Sequence, residues 1–137
     1  MQVRRIRFGD FIKKKRMKDP RELTLSDMAK RLGISVSFLS DIENRRRRPF
    51  DPEKIEIFAE YMGLCETDRA LMYDLASHEN HEIPSDIEDI LMYDEVGDMA
   101  RFALRQSKAG NATEADWKRF IREIEANKAR NETGETQ

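Results

Sequence analysis

Residues 24 to 49, TLSDMAKRLGISVSFLSDIENRRRRP, spell two short helices joined by a tight turn and followed by four consecutive arginines. Thr24 is a favoured N-cap, and Asp27, three residues on, has the position and chemistry to return the reciprocal bond of a capping box. Leu25, Met28, Ala29 and Leu32 fall at helical spacing and form one apolar stripe. Gly33 stops this helix, because glycine enters the left-handed conformation without a Cβ penalty. Only Ile34 separates that stop from Ser35, a cap for a second helix with Leu39 and Ile42 on its inner face. So short a turn permits only a fixed crossing of the pair, and a small residue at Ala29 lets the second helix approach.

Charge points to the partner of this pair. Residues 1–50 hold fifteen Lys or Arg against six Asp or Glu, a net +9, whereas residues 51–137 carry a net −11. The overall −2 therefore hides a basic half built for phosphate and an acidic half built for something else. Arg4, Arg5 and Arg7 precede the first helix, Lys13, Lys14, Lys15 and Arg16 lie on it, and Arg45 to Arg48 leave the second helix of the motif. Three such runs around a helix pair point to double-stranded DNA, and each neutralised phosphate steepens the salt dependence of binding.

On the segments LTLSDMAKRLGIS, SFLSDIEN and RRRRP the sequence resembles the XRE family, the Cro/CI-like helix-turn-helix regulators. The resemblance implies an all-α fold: a five-helix DNA-binding domain of the lambda repressor type over residues 1–76, with helices at 8–18, 25–32, 36–44, 52–62 and 67–76. Asp51 caps the fourth helix, Pro52 opens it and Gly63 closes it. In the family the third helix enters the major groove, which makes Val36, Ser37, Ser40 and Asp41 the base-reading candidates. Thr24, Ser26, Phe38, Asn44, Arg45, Arg46, Arg47 and Arg48 are the phosphate-binding candidates.

Several positions depart from the family pattern. Val36 replaces a long polar reader and suits an apolar contact such as a thymine methyl; Asp41 either accepts from a cytosine amine or opposes the backbone. Leu25 removes one polar phosphate contact, leaving the helix N-terminal amides with Thr24 and Ser26 to hold a phosphate. Arg45 stands where glycine usually ends the third helix, so either Asn44 turns left-handed or the helix runs a turn further. Phe38 either plugs against the fourth helix or touches sugar and phosphate. A free carboxylate at Glu43 would oppose DNA, and the family pattern pairs it with the residue that is Arg16 here, a structural pair.

Residues 77–85, SHENHEIPS, lack helical periodicity, contain a proline and read as a linker. An acidic helical region follows at 86–130, and the polar segment 131–137 reads as a disordered tail. Ser85 caps a helix bearing Ile87, Ile90 and Leu91; residues 95–108 carry Val96, Met99, Ala100, Ala103 and Leu104; Thr113 with Asp116 caps a helix bearing Trp117, Phe120, Ile121 and Ile124. Three helices make a thin core for an independent domain, so the region is expected to pack on a second copy or on the fifth helix. A homodimer also reads enough base pairs of a palindromic operator, and the expected activity is that of a repressor. Trp117 and Phe120 are the interface candidates, with a small intramolecular core as the other reading.

Pro84, Ala103-Leu104-Arg105 and Asp116-Trp117 resemble the tail of XRE regulators encoded beside ImmA/IrrE-type metallopeptidases. That resemblance implies a partner peptidase cutting near Leu104 and Arg105; the alternative is an antitoxin or adaptor that binds a toxin through its acidic half and autoregulates its operon.

Nothing in the sequence reads as an enzyme: it has no glycine-rich phosphate loop, nucleophile elbow or paired-carboxylate pocket, and no cofactor is expected. His78 and His81 have metal-ligand spacing only on a helix, and Asn80 with the following Pro84 argues for a loop, so no metal is expected. Lone Cys65, the absence of a long apolar run and the lack of a signal-like apolar segment fit a cytoplasmic protein with no membrane partner.

Overall fold

A computed structural model describes residues 6–134, which form eight α-helices and no strand. They divide into a unit up to Ser85 and a second from Asp86 onward. The first unit holds α1 (Phe8–Lys18), α2 (Leu25–Leu32), α3 (Val36–Glu43), α4 (Pro52–Tyr61) and α5 (Glu66–Glu79).

Local sequence accounts for most of these boundaries. Thr24 and Asp27 form the reciprocal capping box of α2, Ser35 Oγ accepts from the Phe38 amide, and Asp51 accepts from the Lys54 amide. Gly33 and Gly63 both take positive φ, at 72° and 60°, where α2 and α4 end. The core is shared by all five helices: Phe8 and Ile12, Met28 and Ala29, Leu39 and Ile42, Ile55 and Phe58, and Met72 and Leu75 are buried together. Phe50, between α3 and α4, meets Phe8 edge-on with ring centroids 5.1 Å apart. Leu25, the apolar residue at the start of α2, lies half-buried against this core.

Of the boundaries in this unit that differ from the expectation, two have a clear physical reason. Helix α5 continues through Ser77, His78 and Glu79, so the connection to the next helix starts only at Asn80. The reason is tertiary: Glu79 accepts hydrogen bonds from the Phe8 amide and from Arg7 Nη2 (3.3 Å), anchoring the last turn of α5 on the start of α1. Helix α3 ends at Glu43, and the left-handed residue after it is Arg45 (φ 64°), while Asn44 stays at φ −97°. Both alternatives expected for this point, a left-handed Asn44 or a longer helix, are thus replaced. The Arg46 amide reaches Asp41 O and the Arg45 amide Ile42 O, a Schellman closure that satisfies the orphan carbonyls. Asn44 instead spends its side-chain amide on Ser40 O at 2.8 Å.

The second unit holds α6 (Ser85–Tyr93), α7 (Gly97–Lys108) and α8 (Glu114–Glu132). Thr113 and Asp116 cap α8 reciprocally. Helix α7 begins at Gly97, two residues later than its expected start, because Gly97 is buried against the end of α6: a Cβ there would lie 2.7 Å from Leu91 O. Asn131 and Glu132, expected in the tail, form the last turn of α8, and residues 135–137 lie outside the described residues. None of the three helices buries an apolar side chain, whereas their stripes had the pattern of helix-buried faces.

Candidate nucleic-acid interface

Helix α3 owes its position to what lies behind it. Leu39 and Ile42 are buried, and Glu43 is 3 % exposed. Arg16 of α1 grips its carboxylate through two hydrogen bonds, Nε to Oε2 at 2.8 Å and Nη2 to Oε1 at 2.9 Å, and its Nη1 donates to Leu23 O at 2.9 Å. The Glu43 hydrogen bond holds the Arg16 pKa above its ordinary value against the opposing effect of burial. This fork fixes α3 in rotation about its own axis, since it closes only when Glu43 points at α1.

The other side of α3 is open. Val36 and Ser37, in its first turn, are exposed; Ser40 and Asp41, one turn on, are half-buried. Ser40 Oγ lies 3.3 Å from the Asn44 side-chain nitrogen, and Asp41 accepts from Arg46 at 3.4 Å. Val36 therefore presents methyl groups and Ser37 a hydroxyl that donates or accepts, while Asp41 arrives partly neutralised by Arg46. Of the expected base readers, the structure places two at the surface and ties two into local contacts.

The arginine block wraps the C-terminal end of α3. Arg45 reaches back to Asp10 of α1, with Nε and Nη2 at 3.1 and 3.0 Å from its two oxygens. Arg47 stacks on Phe38, its guanidinium carbon 4.5 Å from the ring centroid. Phe38 is half-buried against the core and also carries that arginine. Arg45 to Arg48, with Arg7, His78 and His81, line an open cavity of about 490 Å³. His78 lies in the last turn of α5 and His81 follows the helix in the left-handed conformation (φ 58°), so the two do not share a helix.

At the start of α2, the Thr24 hydroxyl is occupied by the capping box and Ser26 is exposed. The basic half is also less free than its charge count implies. Arg16 is buried; Arg21 binds Asp19, holding that carboxyl at about 2 chiefly through its side-chain hydrogen bond. Arg21 and Arg31 flank Tyr61 at 4.5 and 4.6 Å from its ring centroid, and Lys15 donates to Asp68 at 2.6 Å. Arg4 and Arg5 lie outside the described residues.

Sequence reasoning missed three features of this surface. Gly9 admits the end of α3 onto α1, signalled only by a glycine between aromatics in FGDF. Glu79 and the Asp41 to Arg46 pair had no local signature. In the second unit, Trp117 donates to Ser107 Oγ at 2.9 Å and is half-buried, while Phe120 is exposed. Leu104 and Arg105 lie on α7, so hydrolysis of that bond requires local unwinding of the helix.

Residues 7–72 match the family model of the helix-turn-helix domain, a span running from the residue before α1 into α5. No curated protein and no solved structure matches the chain. The helix-turn-helix match points to DNA binding, and among the described residues no helix is long and apolar enough to cross a membrane.

Proposed function

We propose that this protein is a sequence-specific transcriptional regulator of the XRE type, a dimeric repressor whose α3 reads a palindromic operator. One observation supports this above the others: the first turn of α3 is exposed at Val36 and Ser37, with Arg47 stacked on Phe38 beside them, while the opposite face of the helix is locked by Glu43 and Arg16. A rigid helix with an open N-terminal end beside cations is the arrangement that helix-turn-helix docking uses. Val36 meets thymine methyls, Ser37 and Ser40 hydrogen-bond base edges, and Asp41 accepts from cytosine. Arg46 to Arg48, Arg45, Asn44, Ser26 and the α2 amides capped by Thr24 hold the flanking phosphates. Two copies related by a two-fold axis then place their α3 helices in grooves about one helical turn apart.

The exposed apolar side chains of α6 to α8 favour a second reading, an adaptor or antitoxin whose acidic half binds a toxin or a metallopeptidase. Selection of bound duplexes from a random library with the full chain tests the operator reading. A two-fold symmetric motif is the expected result; binding without enrichment that vanishes as salt rises overturns the operator reading.

A further inference from the structure

The second unit is incomplete as a folded object. Eleven large apolar side chains between Ile87 and Ile124 are 41 to 81 % exposed, Tyr93, Met99 and Phe102 most of all. At roughly 150–200 Å² each, about half of it uncovered, they expose on the order of 1,000 Å². One side of a standard interface is about 800 Å². The exposed apolar area summed over the three helices is thus comparable with what one partner contributes to a stable complex.

Charge says which partner. Residues 86–98 carry six acidic side chains and no basic one, whereas residues 99–122 carry six basic against two acidic. Arg101, Lys118 and Arg119 pair with Asp98, Glu114 and Asp116 of the same chain, so the match between copies falls to Asp86, Glu88 and Asp89 of α6 against Arg105, Lys108 and Arg122 of α7 and early α8. A two-fold axis realises both matches at once, because residue i then meets j and j meets i.

We infer that the second unit is completed by a second copy of this chain, the acidic α6 of each protomer lying against the basic α7 and start of α8 of the other, over a shared apolar core. This rests on the proposal of a dimeric regulator and names the surface and polarity of its pairing. The acidic ends steer each copy onto its partner and oppose the parallel arrangement, in which like meets like.

Charge reversal tests it on the full chain. Variant one carries Asp86→Lys, Glu88→Lys and Asp89→Lys; variant two carries Arg105→Glu, Lys108→Glu and Arg122→Glu; variant three carries all six. Sedimentation equilibrium should find the native chain dimeric, with variants one and two each dissociating at least about tenfold more readily. Variant three should recover the dimer, and an equimolar mixture of variants one and two should form a heterodimer. Recovery in variant three without heterodimer in the mixture would mean that the charges match within one chain, and would overturn the inference. A monomeric native chain, or one that associates only with a different protein, would overturn it as well. Duplex selection run in parallel keeps the readings apart: a symmetric motif bound by a chain whose dimer ignores these reversals sinks this pairing and leaves the operator reading standing.

Discussion

A Cβ placed on Gly9 of α1 would lie 2.1 Å from the carbonyl oxygen of Ile42 in α3, a separation that atoms in contact do not reach. Helix α3 is thus seated with its C-terminal backbone directly on the α1 backbone, and the seat exists because residue 9 has no side chain. Alanine is the better helix former by about 1 kcal/mol, yet backbone cannot move aside as a flexible side chain can. Gly9→Ala is expected to lower stability by about 1–3 kcal/mol and to weaken specific duplex binding by displacing α3. Urea denaturation and a binding titration check the two effects; a more stable variant would show that α3 is free to shift.

Arg16 and Glu43 make a buried pair whose value lies in its completeness. Removing only the arginine, as in Arg16→Met, strands a buried carboxylate and should cost about 3–5 kcal/mol. The double variant Arg16→Met with Glu43→Leu should recover much of that loss. A double-mutant cycle by chemical denaturation measures the coupling, and additive losses would mean that the pair contributes nothing jointly.

Arg45 holds a left-handed backbone that glycine adopts without strain. Arg45→Gly removes a strain of about 1–2 kcal/mol and also removes the ion pair with Asp10. That pair is exposed and worth about 0–1 kcal/mol, so the net change should be a small gain in stability. Duplex affinity should fall together with the salt slope, by about one unit. Thermal melting and titrations at several salt concentrations read the opposite signs; a loss of both stability and affinity would assign Arg45 to the fold alone.

Asp41 and Arg46 are partners, so neither is a clean probe of its own role. Base reading is better tested by replacing Val36 and Ser37 together with alanine, phosphate contact by neutralising Arg47 and Arg48. The first should relax preference at one or two operator positions by about 1–3 kcal/mol; the second should weaken all sequences alike. Identical effects from both would place the reading face elsewhere.

Asp27 has its pKa lowered chiefly by the hydrogen bond from the Thr24 amide, with the bond to the Thr24 side chain adding to it. A lowered folded value means that the ionised cap stabilises α2 above the unfolded pKa near ~3.9 and that this contribution fades as pH falls through the folded value. Asp27→Asn keeps a capping side chain and removes the titration. Its acid unfolding curve should be flatter below about pH 4 than that of the native chain; parallel curves would place the acid sensitivity in other carboxylates.

The parts of the fold that were legible in sequence are those in which cause and effect lie a few residues apart. Thr24 with Asp27, Ser35, Gly33, and Asp51 with Pro52 and Gly63 mark their helix ends because a cap needs only its own first or last turn. Arg16 with Glu43 was accessible only through family resemblance, since the two are 27 residues apart. The end of α5 was not legible, because the group that sustains it is an amide 71 residues earlier in the chain. Arg45 ran against propensity for a similar reason: Asp10, which holds its guanidinium, is 35 residues away. At the site, position along α3 was readable from periodicity, while the engagement of Ser40 and Asp41 by Asn44 and Arg46 depended on how that helix ends.

Glu79 joins the end of α5 to the start of α1, through the Phe8 amide and Arg7. The five-helix unit is therefore a closed circuit whose two ends meet in space, although they are far apart in sequence. A chain closed in this way tolerates being reconnected: a short link between the two ends, with new termini opened in the exposed turn at Gly63, should yield a circular permutant with the same core. It also makes the first and last helices a single cooperative element, so trimming either end should loosen the other.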